Sequence, residues 1–384
     1  MTKNIILQAN GDFGKSYSGL RNYHIYKELI KRGYNVKVLC RDNCSEFKDN
    51  IICPIPFRSL IPKFLTFMKR FGVKSADYSN KLFDKCSQKY INNVDLLITF
   101  VPLLESVNIA KERNIKVAVN VPSLSTRYNL ELESECRKYN VDFETQFGTY
   151  EHNLLCNDCY NQSDYLLAQS DYSIHTFIEC GFNKDKFYNV GNTVLNMPET
   201  NLYLTQKKDD TFRILFVGEN MIRKGLQYLI PAFLELEIKD KELIIVGDFV
   251  SKSEKAYFSQ YFGIPNIKFV GHKDPKEYYM YCDLFVFPSL SEGAARACYE
   301  AMSYGMPVLA TIESGAPIDK AFIIKSDGSN ILDKINLITQ YPWCNNMLLE
   351  YIGSHNYKDI LNCNIVNYCN KFCDIVDDIL KDKK

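Results

Sequence analysis

The sequence has no excess of charge of either sign, because its 384 residues include 46 Lys plus Arg and 46 Asp plus Glu. A formally neutral chain generates no overall field that would attract nucleic acid or an anionic membrane. Its tyrosines and phenylalanines do not interleave with basic residues as they do in proteins that bind single strands. We therefore expect no nucleic-acid partner, and any anion-binding site must be local.

Long hydrophobic runs are missing as well. No stretch approaches the ~18–20 apolar residues that cross a bilayer, because charged or amide side chains interrupt each one. The 14 cysteines are scattered and no secretory signal precedes the first strand-like segment, so we expect reduced thiols and a cytoplasmic protein. Residues 58–74 combine basic and apolar side chains. Both an ordinary surface helix and peripheral contact with a membrane fit that pattern.

Metal-binding and dinucleotide-binding motifs are also absent. The five histidines are dispersed, and the pair Cys156 and Cys159 has no second Cys or His pair at zinc spacing. We therefore expect no metal ion and no cofactor. No GxGxxG sequence follows the first strand of either half of the chain, which argues against a dinucleotide-dependent oxidoreductase.

Strand and helix periods alternate in two successive series. A strand at 4–9 and a helix at 20–32 flank a polar loop that contains Gly14 and Gly19, and the alternation continues to residue 191. It stops between 192 and 212 and then restarts. The prediction is an α/β protein of two Rossmann-like, doubly wound parallel-sheet domains that face a central cleft. The expected boundaries are a first domain at 1–190, a linker at 191–211, a second domain at 212–355 and a C-terminal helix at 356–384.

The C-terminal helix is predicted from the pattern between residues 357 and 380. It either caps the second domain or crosses back to the first, and the sequence leaves both arrangements open.

Two loops that follow strands of the second domain carry candidate ligand-binding residues. Arg223 and Lys224 come after the strand that ends at Gly218, where two adjacent cations suit a diphosphate. A solvated basic turn would have the same sequence. His272 follows the strand at 266–271, so it either flanks a nucleotide base or is an ordinary loop histidine.

The densest candidate motif is the run from 288 to 311, where a strand leads through a small-residue turn into a helix. Ser291 suits an N-cap, and Gly293, Ala294 and Ala295 would let a phosphate or sugar approach free backbone amides. Substrate binding at this turn is one interpretation of the run.

Glu292 and Glu300 in this run are eight residues apart, or ~12 Å along a helix. Each carboxylate offers two acceptor oxygens to a sugar or ribose diol. With Arg296 between them, a surface salt-bridge ladder is the alternative, but the position after the carboxyl end of a strand favours ligand binding.

This run is similar to the signature of the family 4 retaining, nucleotide-sugar-dependent glycosyltransferases, whose fold is called GT-B. In that signature two glutamates are separated by seven residues. The matching residues are Glu292-Gly293, Glu300-Ala301-Met302, Gly305 and Pro307-Val308-Leu309-Ala310-Thr311. The likeness is strong over 164–311 and weak over the rest of the first domain, where acceptors bind in the family.

The resemblance implies transfer of a sugar from a nucleotide diphosphate to an acceptor hydroxyl, with retention of configuration and without a metal. It assigns Lys224 and Arg223 to the diphosphate, Glu300 to the ribose and Glu292 to the donor sugar. It also implies that Gly14 and Gly19 lie in a loop that faces the phosphates. The carrier (UDP, GDP or ADP) and the acceptor (a glycan, a lipid-linked sugar or a small molecule) stay open.

Three departures from the family pattern keep other functions open. Glu219 stands where an arginine is common, residues 119–123 lack a frequent histidine, and the turn at 313–317 is short. The alternatives are a degenerate nucleotide-sugar-binding subunit and another GT-B enzyme, such as a nucleotide-sugar epimerase or a hydrolase.

Overall fold

The computed structural model describes residues 2–56, 75–339 and 345–382. The basic amphipathic stretch at 58–74 lies outside the described residues. Within them the chain forms two parallel sheets, each covered by helices. The predicted fold class of two Rossmann-like domains is confirmed.

The first sheet has seven parallel strands whose spatial order is β3-β2-β1-β4-β5-β6-β7. The order reverses between β1 and β4, and a crevice for a ligand opens at such a point beyond the carboxyl ends of the strands. Ile5, Ile6 and Leu7 are all buried, as expected for a strand that is covered on both faces. The strands are β1 (Asn4–Phe13), β2 (Asn35–Asn43), β3 (Ile51–Ile52), β4 (Leu96–Thr99), β5 (Lys116–Val121), β6 (Tyr165–Ala168) and β7 (Phe187–Asn189).

The second sheet has six parallel strands in the order β10-β9-β8-β11-β12-β13, and its order reverses between β8 and β11. The strands are β8 (Phe212–Val217), β9 (Lys241–Val246), β10 (Ile267–Gly271), β11 (Leu284–Phe287), β12 (Val308–Thr311) and β13 (Ile323–Ile324). The strands predicted at 4–9 and 266–271 and the one predicted to end at Gly218 are present as β1, β10 and β8, with ends that differ by a few residues.

Helices connect these strands and cover both faces of the sheets. Short 3₁₀ turns lie at Gln88–Tyr90, Lys184–Lys186, Ser259–Tyr261, Ile312–Ser314, Lys320–Phe322 and Leu361–Cys363. The described α-helices are α1 (Ser16–Lys31), α2 (Ser75–Ser87), α3 (Leu104–Glu112), α4 (Thr126–Glu131), α5 (Glu133–Lys138), α6 (Phe143–Phe147), α7 (Tyr150–Gln162), α8 (Asp171–Glu179), α9 (Leu226–Glu235), α10 (Lys252–Phe258), α11 (Lys276–Tyr279), α12 (Arg296–Ser303), α13 (Ile331–Thr339), α14 (Asn345–Ile360) and α15 (Ile365–Lys381).

The prediction of one continuous C-terminal helix at 357–380 is wrong. Asn364 caps a new helix there, because its side chain accepts a hydrogen bond from the Asn367 amide at 3.0 Å. The new helix, α15, packs on α1 and joins the core of the first sheet through Phe372 and Val376. The last helix therefore returns to the first domain.

Residues 126–147, which form α4, α5 and α6, make an interdomain segment that leaves the first domain and contacts the second. Cys136, Val141 and Phe143 belong to the same buried cluster as the strands of the second sheet. The rings of Tyr139 and Tyr257 lie 4.9 Å apart between their centroids. The segment thereby connects the two domains along one side of the cleft.

Candidate active site in the interdomain cleft

A cavity of about 890 Å³ lies between the carboxyl ends of the two sheets, beside both points where strand order reverses. Such a crevice is the usual ligand site of an open α/β sheet. Most of the residues singled out in the sequence line it, namely Gly218, Arg223, Lys224, His272, Glu292, Ala294 and Glu300.

The loop after β8 brings the two cations into the cavity. Gly225 has a φ of +80° and ends this loop at the start of α9, where a side chain would overlap the Pro288 carbonyl. A side chain at Gly218 would overlap Lys224, so this glycine lets the lysine lie across the end of the strand. The Lys224 ammonium is 4.9 Å from the centre of the Phe287 ring.

Glu292 lies opposite the cation pair. Its Oε1 atom is 3.0 Å from Arg223 Nη1 and 2.9 Å from Lys224 Nζ, although neither contact is aligned as a hydrogen bond. Burial alone would raise the pKa of the Glu292 carboxyl, but the charges of Arg223 and Lys224 outweigh it and hold that pKa below its ordinary value. The carboxylate is therefore ionised at neutral pH and neutralises part of the cation pair.

The turn that carries Glu292 is not helical, because α12 begins only at Arg296. The expectation that one helix runs from Glu292 to Glu300 is therefore wrong. Of the two ion pairs in the predicted ladder, the pair between Arg296 and Glu300 forms. Arg296 Nε lies 3.2 Å from Glu300 Oε1. The N-cap prediction for Ser291 is also wrong, because the N-cap residue of α12 is Ala295. The Ser291 hydroxyl donates instead to Asn129 Oδ1 at 2.5 Å.

Contacts with a distant turn hold this segment in its extended form. The Glu292 amide donates to the Glu313 carbonyl at 2.9 Å, and the Ala295 amide donates to the Ser314 carbonyl at 2.7 Å. The expected free amide at Ala295 is thus occupied. Within the described parts of the chain, the amides of Gly293 and Ala294 have no hydrogen-bond partner.

Glu300 lies one turn after Arg296 in α12 and lines the cavity. The Tyr279 hydroxyl donates to Glu300 Oε2 at 3.4 Å, and Arg296 contacts the other oxygen. Burial raises the pKa of Glu300 above its ordinary value of 4.5, and Arg296 offsets only part of the rise. The carboxylate is exposed enough, at 28% of its side chain, to contact a ligand.

Glu219 and His272 lie together at the rim of the cavity. His272 Nδ1 is 3.7 Å from Glu219 Oε1, and their side chains are 78% and 54% exposed. Glu219, which stands where the resembled family commonly has an arginine, therefore faces a histidine in solvent. It does not enter the buried cation site.

The glycines of the first domain do not line the cavity. Gly19 lies within α1, so its expected position in a loop is wrong; a side chain there would overlap the Asp12 carbonyl. Gly14 has a φ of +83° and packs beside Ser45. The cavity is lined instead by residues of the first two turns of α1, including Tyr17 and Arg21.

A contact between the domains, through Tyr17 and Asn192, was not predicted from the sequence. The Tyr17 hydroxyl donates to Asn192 Oδ1 at 2.9 Å, and Asn192 Nδ2 donates to the Ala294 carbonyl at 3.0 Å. The Arg296 guanidinium lies 4.8 Å from the centre of the Tyr17 ring. The polar character of the loop between β1 and α1 pointed to this region, but no sequence spacing links Tyr17 to Asn192.

In the described parts of the chain, no group of three His, Cys, Asp or Glu side chains is arranged to hold a metal ion. None of the described helices has the length and apolar character needed to cross a membrane.

The structural likeness to solved proteins covers nearly the whole chain and defines its fold as GT-B. HepE from Anabaena, solved in complex with UDP and glucose, superposes with a TM-score of 0.62 at 15% identity, over 97% of this chain and 99% of that one. Sucrose-phosphate synthase from Thermosynechococcus elongatus gives a TM-score of 0.63 at 16% identity, over 98% and 99% of the two chains.

Sequence comparison gives matches that cover less of the chain. Residues 204–319 match the family model described as Glycosyl transferases group 1. The capsular polysaccharide biosynthesis glycosyltransferase CapM of Staphylococcus aureus is 29% identical over 169 residues, which is 40% of this chain and 42% of CapM. The match thus spans less than half the length of this curated relative.

Proposed function

We propose that the protein is a glycosyltransferase that moves a sugar from a nucleotide-diphosphate donor to an acceptor hydroxyl, with retention of anomeric configuration. The observation that carries this proposal is the cluster of Arg223, Lys224, Glu292 and Glu300 in one cavity between two GT-B domains. The match of residues 204–319 to a glycosyltransferase model supports it, because that range contains all four residues.

In the proposed complex Arg223 and Lys224 bind the diphosphate, and Glu300 accepts hydrogen bonds from the ribose hydroxyls. Glu292 uses Oε1 for the cations, as in the free protein, and Oε2 for a hydroxyl of the donor sugar. The unpartnered amides of Gly293 and Ala294 suit a phosphate or sugar oxygen. The donor thereby lies along the second domain, and its anomeric carbon faces the first.

The chemical step breaks the bond between the anomeric carbon and the diphosphate oxygen, and forms a bond from the acceptor oxygen on the same face of the sugar. The departing phosphate oxygen takes the proton of the acceptor hydroxyl, so no separate base is required. The two cations stabilise the charge that develops on the leaving diphosphate. Transfer without a metal ion is part of the proposal, since this cation pair supplies positive charge at that position.

The test is an assay with UDP-, GDP- and ADP-linked sugars and a pool of neutral and acidic oligosaccharides, in which nucleoside diphosphate release and product mass are followed. UDP-sugars come first because HepE was solved with UDP. The expected product carries the anomeric configuration of the donor by NMR, and its rate is unchanged by EDTA. Binding of a nucleotide sugar with neither transfer nor hydrolysis would favour the degenerate binding subunit, and an altered free nucleotide sugar would favour an epimerase.

A further inference from the structure

Arg21 lies on the first-domain side of the cavity and is a buried cation that has no acidic partner among the described residues. It lies in the second turn of α1, is 6% exposed and lines the cavity. Its Nε atom is buried and, within the part of the chain that the structure describes, has no hydrogen-bond partner. Among the described first-domain residues that line the cavity, Arg21 carries the one charged side chain.

Arg32 at the end of the same helix shows how this chain pairs a half-buried arginine. Its guanidinium contacts Glu28 at 3.4 Å, Asp374 at 2.7 Å and Asp377 at 2.9 Å. Arg21, by contrast, forms no ion pair with any described residue. Two arginines of one helix therefore differ in whether their charge is balanced by nearby carboxylates.

Aromatic rings hold the Arg21 guanidinium in place. Its central carbon lies 5.8 Å from the centre of the Phe100 ring and 5.9 Å from that of Tyr368. Such contacts recover less free energy than the removal of an ion from water costs. The rings thus orient the cation without neutralising it. A fixed, unneutralised guanidinium beside a cavity is suited to bind a carboxylate or a phosphate through two parallel hydrogen bonds.

We propose that Arg21 binds an acidic group, a carboxylate or a phosphate, that is carried by the acceptor. The donor diphosphate already has Arg223 and Lys224, which belong to the other domain. A second substrate in the same cavity must approach from the first domain, where Arg21 lies. The inference rests on the proposed function for the role of this substrate, and it narrows the acceptor to an acidic or phosphorylated sugar.

The test is calorimetric binding of glucose 1-phosphate, glucuronate and neutral glucose to the full chain, with and without saturating nucleoside diphosphate. We expect at least one anionic sugar to bind wild type in both conditions, and glucose not to bind. Arg21→Gln should weaken that binding at least tenfold. Arg21→Lys should weaken it less, because lysine keeps the positive charge but lacks the paired N–H groups of the guanidinium. The control Lys27→Gln removes an exposed cation of the same helix and should change nothing.

Several results would overturn the inference. One is that neither glucose 1-phosphate nor glucuronate binds at millimolar concentration. Another is binding that Lys224→Ala abolishes and Arg21→Gln spares, since the anion would then occupy the donor site. A tenfold loss of nucleoside diphosphate affinity in Arg21→Gln would assign the arginine to the donor instead. If no nucleoside diphosphate binds wild type, the proposed donor site is refuted. The titrations of anionic sugars without nucleotide still test the role of Arg21. Melting temperatures of both Arg21 variants show whether each is folded.

Discussion

At the scale of single residues, we expect the half-buried carboxylate of Glu300 to make the proposed donor binding depend on pH. Burial raises the pKa of Glu300 above 4.5, and only its ionised form can accept hydrogen bonds from both ribose hydroxyls. Nucleotide affinity should therefore fall as the pH is lowered through this raised pKa. The Tyr279 hydroxyl, which already contacts Glu300, would remain bonded to the protonated form.

Calorimetric titrations of the bound nucleoside diphosphate between pH 4.5 and pH 8 would measure this effect, with Glu300→Gln as the reference. The variant keeps the size of the side chain but cannot ionise, so it should bind ~10-fold more weakly at neutral pH. Its nucleotide affinity should also lack the decrease at low pH that protonation of Glu300 causes in wild type. Parallel curves for the two proteins would refute the ribose role of Glu300.

Lys224 should matter more for transfer than for binding. Its ammonium faces Glu292 in the free protein, and the proposed step increases negative charge on the diphosphate that it contacts. We expect Lys224→Ala to lower kcat by ~100-fold, with a smaller change in donor Kd. Lys273→Ala, which removes an exposed cation at the rim of the same cavity, serves as the control. Equal losses in kcat and in affinity would contradict a role in the chemical step.

At the scale of elements, the interdomain segment positions the loop that carries the cations. Gln146 of α6 is buried; its Oε1 accepts from the Arg223 amide at 3.2 Å, and its Nε2 donates to Glu254 Oε1 at 3.1 Å. Glu254 in turn accepts from the Ile222 amide at 3.3 Å. A side chain of the first domain thus fixes the backbone of the loop after β8, which carries Arg223 and Lys224.

Gln146→Ala should consequently weaken donor binding without removing any group that touches the donor. Loss of one buried hydrogen-bond partner typically costs ~1–3 kcal/mol, so we expect a lower melting temperature and a several-fold higher donor KM. The matched control is Gln260→Ala, at an exposed turn after α10, which should leave both unchanged. A lower melting temperature with an unaltered KM would show that Gln146 stabilises the fold but does not position the loop.

The strands could be predicted from the sequence more completely than the candidate site. Runs such as Leu243–Val246 are buried on both faces, and this burial leaves a clear apolar pattern. The start of α12 could not be predicted, because hydrogen bonds from Glu292 and Ala295 to the turn at 313–314 keep the preceding residues extended. Nor does any local spacing place Arg21 between Phe100 and Tyr368, which are far apart in the chain.

At the scale of the whole molecule, the two domains meet closely at Gly293. A side chain there would overlap the Pro122 carbonyl oxygen of the first domain. Gly293→Ala should therefore force the domains apart, raise the radius of gyration in small-angle scattering and reduce donor turnover. Gly11→Ala is the matched control, since a side chain at Gly11 meets no atom within 4 Å. Unchanged scattering and turnover in Gly293→Ala would show that the close approach is not required.

The central claim is that this cleft binds a nucleotide-sugar donor, and the most direct test is a thermal-shift panel. Wild type and Glu300→Ala are each heated with UDP-, GDP- and ADP-linked sugars and with the bare diphosphates. We predict that one base series stabilises wild type, by ~2.7 kcal/mol at a ligand concentration of 100 times Kd, and that Glu300→Ala loses most of this gain while keeping its own melting temperature. No stabilisation of wild type by any member of the panel would contradict the account.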